Sequence, residues 1–284
     1  MILNETYTLA SGIEIPKLGL GTWMITEADA VEAVKTALDM GYRHIDTAQD
    51  YFNEAEVAAG IKASGVSREE IFVTTKLSAQ HKTYADAAAA IEESLRLLNM
   101  DYVDMMIIHC PKPWDKYDGE DRFFDGNKEA WRALEDAHKA GKIRVIGLSN
   151  FQPVDIDNIL QSCTVKPEVN QILAHVSNTP AELIEYCRQQ DILVEAYSPI
   201  GHGELFKNAD IQAMAEKYQV SLPQLCIRYT LQLGLLPLPK TANPEHMENN
   251  ADVDFEISAE DMAVLSTMEK ISDYGEASVF PVYQ

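Results

Sequence analysis

Strand-like and helix-like segments alternate eight times along this chain, which predicts a (β/α)8 barrel, the TIM-barrel fold. No break in composition divides the sequence, so we expect one domain over residues 1–284. That length suits such a barrel, which typically takes about 250 residues. Active sites of these barrels lie at the C-terminal ends of the strands. We therefore expect an N-terminal β-hairpin, one barrel and active-site loops on its C-terminal face.

The hairpin is predicted first, because strand-like runs at residues 6–9 and 13–15 flank a Ser-Gly turn. A first barrel strand ends before Thr22, and apolar residues spaced by three and four predict a helix over residues 26–41. Later strands are predicted to end at Asp46 and to cover residues 71–77, 102–109, 143–149, 168–172, 192–198 and 235–239. Later helices are predicted over residues 83–98, 127–140, 154–161, 180–190, 210–218 and 223–233.

Two features count against parts of this assignment. Pro237 and Pro239 lie in the eighth strand and cannot donate to a β-ladder, but the barrel requires a strand there. Residues 17–23 contain glycines that resemble a dinucleotide-binding fingerprint. Met24 stands where the third glycine of that fingerprint is required, so we disfavour a Rossmann domain.

The charge of the chain limits its partners. Lys and Arg number 23 against 45 Asp and Glu, which gives a formal net charge of −22. Such a surface repels nucleic acid and anionic membranes, so we expect neither as a partner. An anionic cofactor would need a local basic pocket, which makes the few lysines in predicted loops informative.

The cysteines and the N-terminus indicate a compartment. Four cysteines lie far apart without the spacing of a zinc site, so we expect free thiols, a reducing compartment and no metal. No signal peptide is evident at the N-terminus, and no run approaches the roughly 18 apolar residues of a membrane span. We expect a cytoplasmic protein.

Four polar side chains stand at or just past the ends of successive predicted strands. Asp46 ends one strand and Tyr51 follows in the next loop, while Lys76 and His109 end two further strands. Taken singly, such residues are more often caps, core or structural groups. Because strand ends meet on one face of a barrel, the four together predict a catalytic site.

Six separated motifs, in the same order along the chain, resemble those of the aldo-keto reductase family. They are residues 41–48 (Gly-Tyr-Arg-His-Ile-Asp-Thr-Ala), Lys76 in Thr-Thr-Lys-Leu, His109 in Ile-Ile-His-x-Pro, residues 147–151 (Gly-Leu-Ser-Asn-Phe), residues 196–199 (Ala-Tyr-Ser-Pro) and residues 239–241 (Pro-Lys-Thr). The resemblance covers essentially the whole chain.

The resemblance implies reduction of small aldehydes, ketones or keto sugars with NADPH. Tyr51 would protonate the carbonyl oxygen, and Lys76 would lower the pKa of the Tyr51 phenol. Asp46 would hold Lys76 charged, and His109 would hydrogen-bond the carbonyl oxygen. The alternative is a barrel that binds the nicotinamide cofactor in a regulatory role without catalysis. We expect a monomer or a weak homo-oligomer.

The resemblance also implies a cofactor site. Its expected members are Thr22, Ser149, Asn150, Gln171, Tyr197, Ser198, Pro199, Ile200, Gly203, Lys240, Thr241, His246, Asn249 and Asn250. An arginine usually occupies the position of His246 in the family, and histidine is charged only part of the time near neutrality. We therefore expect a relaxed NADPH preference and some use of NADH.

The substrate pocket is expected to include Trp23, Cys110 and Trp114. Many members of the family carry tryptophan at the positions of Cys110 and Ser78, so the pocket wall differs here. We expect Trp114, Phe123 or Phe124, in the loop after His109, to fill part of the volume of that aromatic wall.

Overall fold

The computed structural model describes residues 1–283 and confirms the predicted barrel and hairpin. In the hairpin, β1 (Thr6–Thr8) and β2 (Glu14–Pro16) pair antiparallel, with Tyr7 opposite Ile15. The eight parallel strands that follow are β3 (Leu20–Gly21), β4 (His44–Asp46), β5 (Phe72–Leu77), β6 (Val103–Ile108), β7 (Ile143–Ser149), β8 (Val169–Leu173), β9 (Leu193–Tyr197) and β10 (Leu236–Leu238). Each strand neighbours the next one in the chain.

The barrel closes between its first and last strands, through backbone carbonyls of the two prolines. Gly19 N donates to Pro237 O at 3.3 Å, and Gly21 N donates to Pro239 O at 3.1 Å. In an extended strand, the N and the C=O of one residue point to the same side. Each proline therefore presents a carbonyl acceptor to β3 but has no N–H to donate. The closing edge therefore holds fewer hydrogen bonds than the other edges, and Gly21 and Lys240 form an isolated parallel bridge there.

Ten α-helices accompany the strands. They are α1 (Glu27–Asp39), α2 (Glu54–Ser64), α3 (Tyr84–Leu98), α4 (Phe124–Lys139), α5 (Pro153–Leu160), α6 (Ala181–Gln189), α7 (Ala209–Tyr218), α8 (Leu222–Gln232), α9 (Pro244–Ala251) and α10 (Ala259–Ser266). The sequence did not predict α2, α9 or α10, because each lacks a clear apolar stripe. No helix within residues 1–283 is long and apolar enough to cross a membrane.

The apolar core is divided by the sheet, and the hairpin closes one end of the barrel. Leu9 and Ile15 of the hairpin belong to a buried cluster with residues near the starts of strands, among them Phe72, Val169 and Leu236. The N-terminal end of the barrel is therefore apolar and covered. Polar side chains inside the barrel concentrate towards the opposite end, where the loops after the strands lie.

Gly60 sets how closely α2 can approach α1. A Cβ atom at Gly60 would lie 2.7 Å from the backbone oxygen of Val31 and 2.8 Å from Cβ of Val34. Alanine has a higher helix propensity than glycine by ~1 kcal/mol, so propensity alone would make Gly60→Ala stabilising. We expect the clash to prevail and the midpoint of thermal unfolding to fall.

Ala59 provides the matched comparison, because it is exposed in the same helix. Ala59→Gly reports the propensity difference by itself and should lower the unfolding midpoint. An increase in the midpoint of Gly60→Ala, equal to the decrease in Ala59→Gly, would show that α2 and α1 tolerate the added methyl group.

Candidate active site

A cavity of about 720 Å³ opens at the C-terminal ends of the strands. This volume lies within the range of small-molecule and cofactor sites. Its wall includes most of the site residues that the sequence predicted, namely Asp46, Tyr51, His109, Ser149, Asn150, Gln171, Tyr197, Ser198, Pro199, Ile200, Gly203, Lys240, Thr241, His246, Asn249, Asn250, Trp23 and Trp114. Thr22, Lys76 and Cys110 are not part of the wall.

Lys76 lies behind the wall and connects Asp46 with Tyr51. Its side chain is fully buried, and its Nζ donates to Asp46 Oδ1 at 2.5 Å, to the Thr47 carbonyl at 2.9 Å and to the Tyr51 hydroxyl oxygen at 3.1 Å. Because the tyrosine oxygen accepts from Lys76, its own hydrogen is left free for a group in the cavity. The structure thus brings into contact the three side chains that the sequence placed at one site.

The pKa of the Tyr51 phenol differs from the sequence expectation. Burial, followed by the charges of Asp46 and Asp50, raises the pKa of Tyr51 well above its ordinary value of 10.0. The expected lowering by Lys76 does not prevail over burial, and Asp46, which lies 2.5 Å from the lysine ammonium, also offsets its charge. Tyr51 therefore carries its proton throughout the neutral pH range.

Two side chains that the sequence did not single out hold the loop around Tyr51. Gln49 Nε2 donates to Ala90 O and Ser94 Oγ, each at 2.9 Å, on α3. Asn53 Nδ2 donates to Thr22 O at 3.0 Å, which ties the loop to the end of β3. These two anchors flank Tyr51 and restrict its backbone. In the sequence, only the proximity of Gln49 and Asn53 to Tyr51 could have indicated that they anchor this loop.

His109 contacts the catalytic candidates edge-on. Its ring centroid lies 5.6 Å from that of Tyr51 and 5.1 Å from that of Trp114. Its Nδ1 is 3.2 Å from Asp50 Oδ2, but off the direction required for a hydrogen bond. Burial lowers the pKa of His109, although contact with Asp50 partly opposes the shift. The imidazole is therefore neutral near pH 7.

A second buried acid, Glu195 on β9, lies beneath Asp46. Gln171 Nε2 links the two, donating to Asp46 Oδ2 at 2.9 Å and to Glu195 Oε2 at 2.8 Å. Burial, and then the charge of Asp46, raises the pKa of Glu195 to about 8. His44 lies 3.9 Å away, and burial lowers its pKa to about 4. At neutral pH, Glu195 is thus mostly protonated and His44 is neutral.

Part of the cavity wall carries groups that fit a phosphate. Lys240 is exposed beside Thr241, and among residues 1–283 it forms no ion pair. His246 Nδ1 lies 3.5 Å from Thr241 Oγ1. In a protein of net charge −22, a free lysine on a cavity wall is a local exception. This donor set fits the phosphate end of the expected nicotinamide cofactor.

The expected nicotinamide end is polar, and its groups already contact one another. Ser149 Oγ donates to Gln171 O at 2.9 Å, and Asn150 Nδ2 donates to His109 O at 3.0 Å. Asn150 Oδ1 accepts from the Tyr197 hydroxyl at 2.8 Å. The carboxamide group of a nicotinamide can form hydrogen bonds in place of these contacts, so these residues also fit the cofactor. Ser149 and Gln171 are nearly inaccessible to solvent.

The C-terminal segment completes the wall, which no sequence motif indicated. Residues 280–283 line the cavity. The Tyr283 hydroxyl lies 2.9 Å from Ser198 Oγ, and the Tyr283 ring stacks on Trp23 with centroids 6.0 Å apart. His202, on the loop after β9, meets Tyr283 edge-on at 4.8 Å.

Two predicted residues lie elsewhere than expected. Cys110 is fully buried, and burial raises the pKa of its thiol to about 12. Because neighbouring residues of an extended segment point to opposite sides, His109 faces the cavity while Cys110 faces away. The expectation that Cys110 shapes the substrate pocket is therefore wrong. Thr22 is also buried, and its Oγ1 donates to Asp46 O at 3.0 Å, so it supports the strand end instead.

Two further features concern the potential metal ligands and the cysteines. Across residues 1–283, no three His, Cys, Asp or Glu side chains are grouped in a way that could hold a metal ion. All four cysteines, Cys110, Cys163, Cys187 and Cys226, are free thiols.

Comparisons with known proteins assign the family. The model of the Aldo/keto reductase family matches residues 17–270. A glyoxal reductase of Bacillus subtilis is 42% identical over 270 residues, which cover 94% of this chain and 94% of that protein. An aldehyde reductase of Saccharomyces cerevisiae is 37% identical over 313 residues, covering 99% of this chain and 97% of the yeast protein.

A solved structure agrees with these sequence matches. The Bombyx mori aldo-keto reductase in complex with NADP has a TM-score of 0.86 and 33% identity, covering 98% of each chain. The fold is therefore that of a barrel oxidoreductase. This chain belongs to the aldo-keto reductase family.

The raised pKa of Glu195 predicts a pH-dependent effect of Glu195→Gln. Between about pH 4.5 and about pH 8, the folded protein keeps a proton that the unfolded chain releases, so rising pH destabilises the wild type. Glutamine can still accept from Gln171 and does not titrate. We expect the unfolding midpoint of the variant to rise relative to that of wild type from pH 5 to pH 8. Above pH 8 the difference between the two midpoints should stay constant. Thermal unfolding at several pH values measures this difference, and a constant difference would contradict the assignment.

Proposed function

We propose that this protein reduces small aldehydes, ketones or keto sugars to alcohols with NADPH, and that Tyr51 gives the proton. The observation that carries the proposal is the free hydrogen of the Tyr51 hydroxyl, whose oxygen accepts from Lys76 at 3.1 Å on the cavity wall. When bound, a reduced nicotinamide supplies the hydride for the carbonyl carbon. The names of the relatives, a glyoxal reductase and an aldehyde reductase, support the aldehyde class.

Each of the four side chains has a distinct part in the proposal. Tyr51 holds the proton that is passed to the carbonyl oxygen, and the Lys76 ammonium stabilises the phenolate that remains. Asp46 keeps Lys76 charged and directed at the phenol. His109, neutral because of its burial, offers an N–H to the same carbonyl oxygen and orients the substrate. Water is restricted by the aromatic wall that includes Trp23 and Trp114.

The cofactor groups favour NADPH over NADH by a limited margin. Lys240 and Thr241 would meet the 2′-phosphate, and His246 stands on the same wall. The NADP complex of the Bombyx mori relative supports the phosphorylated cofactor. A histidine binds phosphate less firmly than an arginine, which forms two parallel hydrogen bonds. NADH use follows from that difference. A cytoplasmic location and a monomer or weak homo-oligomer remain predictions from the sequence.

Tyr51→Phe tests the proton donor. Removal of the hydroxyl should lower kcat for aldehyde reduction by roughly 10²- to 10⁴-fold, the usual range for general acid catalysis. Binding of NADPH, followed by cofactor fluorescence, should be retained. The measurement is the loss of NADPH absorbance with a panel of reactive aldehydes.

Tyr117→Phe is the matched control, since Tyr117 stacks near Trp114 at 6.5 Å but lies outside the cavity wall. It should leave kcat close to that of wild type. Near-wild-type turnover in folded Tyr51→Phe would remove Tyr51 from the chemistry. No turnover of any aldehyde by the wild type, despite NADPH binding, would favour the regulatory alternative.

His246→Arg tests cofactor choice. A hydrogen bond to a charged group contributes ~1.5–3 kcal/mol, so the ratio of NADPH to NADH affinity should rise roughly ten- to a hundredfold. Fluorescence titration of both cofactors measures the ratio. Glu248→Gln, at an exposed position on the same helix and outside the cavity wall, adds the same unit of charge and should leave the ratio unchanged. Equal ratios in wild type and His246→Arg would mean that position 246 does not contact the phosphate.

A further inference from the structure

Asp50 places a carboxylate in the wall at the reacting end of the cavity. It directly precedes Tyr51, and its Oδ2 accepts from Trp114 Nε1 at 2.8 Å. The same oxygen lies 3.2 Å from His109 Nδ1, and 28% of the side chain is exposed. A substrate whose carbonyl oxygen reaches Tyr51 and His109 must therefore lie close to this carboxylate.

The charge of Asp50 is permanent over the working pH range. Burial alone would raise the pKa of Asp50, but its contacts with His109 and Trp114 outweigh burial and lower the pKa to about 2. Within residues 1–283, no lysine or arginine forms an ion pair with Asp50. Its neighbour His109 is neutral near pH 7, so it does not cancel the charge.

The cations nearest in the chain to this end of the cavity are engaged elsewhere. Lys76 is paired with Asp46. Lys82 donates to Cys110 O at 3.1 Å and to an amide oxygen on α4 at 2.7 Å. The other engaged cations are Lys112, which donates to two backbone carbonyls, and Arg122, which forms a two-bond contact with Asp155. Lys116, in the loop of Trp114, lies with its Nζ 5.7 Å from the centroid of the Phe123 ring. None of them compensates Asp50.

The cavity wall therefore carries charges of both signs. Lys240 adds a positive charge, which suits a phosphate, while Asp50 adds a negative charge beside Tyr51. The field of the whole protein, with a net charge of −22, adds to that of Asp50 and opposes that of Lys240. An anion can be held by Lys240 but is repelled beside Tyr51.

We propose that Asp50 determines substrate class: the site accepts neutral or cationic carbonyl compounds and rejects those with a carboxylate or phosphate near the reacting carbon. This inference rests on the proposed carbonyl reduction. At an effective dielectric constant of about 20, two like charges about 6 to 12 Å apart reduce binding by roughly 10- to 100-fold. A hydroxyl or ammonium group on the substrate can instead donate to the free lone pairs of the Asp50 carboxylate.

Two substrates with the same four-carbon aldehyde backbone and different charge test the inference. Succinic semialdehyde and its methyl ester share the same aldehyde, and only the first carries a carboxylate. In the wild type, kcat/KM for the ester should exceed that for the acid by at least about tenfold. In Asp50→Asn the ratio should shrink by roughly 10- to 100-fold, because the charge is lost while an oxygen remains to accept from Trp114. Asp50→Ser is the second variant if the asparagine fails to fold.

Asp115→Asn is the matched control. Asp115 lies on the same mouth, where its Oδ1 accepts from Gln80 Nε2 at 3.2 Å, but it is exposed and outside the cavity wall. Its removal changes the protein charge by the same unit. The ester-to-acid ratio should stay at the wild-type value.

Binding of a non-reacting pair gives a second readout. Phenylacetate and phenylacetamide have nearly the same shape and differ in charge, and Trp23 and Trp114 in the wall report binding by their fluorescence. Asp50→Asn should tighten binding of phenylacetate by at least about tenfold relative to phenylacetamide.

The outcomes separate this inference from the proposed function. Failure of the wild type to reduce either aldehyde would overturn the proposed reduction, and the binding titration would then decide the role of Asp50. Turnover of both aldehydes with the same ratio in wild type and Asp50→Asn would overturn the role of Asp50 alone. An equal change in Asp115→Asn would assign the selectivity to the overall surface charge and would also overturn it.

Discussion

The ion pair between Lys76 and Asp46 is the interaction on which the rest of the site depends. It is buried inside the barrel, spans β4 and β5, and brings the lysine Nζ within 3.1 Å of the Tyr51 oxygen. Loss of one partner would leave an uncompensated buried charge, which typically costs about 3–5 kcal/mol. The barrel tolerates the pair because Thr47 and Gln171 supply further hydrogen bonds to it. Fold and site are thus stabilised by the same contacts.

The carboxyl groups around this pair differ in pKa because their surroundings differ. Asp46 contacts the Lys76 ammonium, Asp50 accepts from the ring N–H of Trp114, and Glu195 contacts only the amide of Gln171 and the neutral ring of His44. The pKa of Asp50 is accordingly lowered to about 2, and that of Glu195 is raised to about 8. The barrel interior therefore carries fewer charges than its composition implies. The negative charge that remains near substrate is chiefly that of Asp50.

The sequence predicted the barrel and the meeting of Asp46, Lys76 and Tyr51, because strand ends and motif order determine those positions locally. It did not predict α9, whose only buried apolar side chain is Met247, or the closing contacts of residues 280–283. The sequence analysis also placed Cys110 on the wrong side of its segment, since a shift of one residue along an extended chain turns the side chain to the opposite face. The direction of the Tyr51 pKa shift was missed as well, because burial and two neighbouring acids are tertiary features.

A phenol with a raised pKa still suits the proposed reduction. Addition of hydride to the carbonyl carbon turns the carbonyl oxygen into an alkoxide, which is more basic than any phenolate. Transfer of the Tyr51 proton to that oxygen is therefore downhill whether or not Lys76 lowers the pKa. The reverse reaction, oxidation of an alcohol, needs phenolate as the base, and a raised pKa makes that species scarce near neutrality. Burial of Tyr51 beside Asp46 and Asp50 therefore keeps the phenol in the protonated form that reduction requires. Lys76 then acts mainly by stabilising the phenolate after the proton has left.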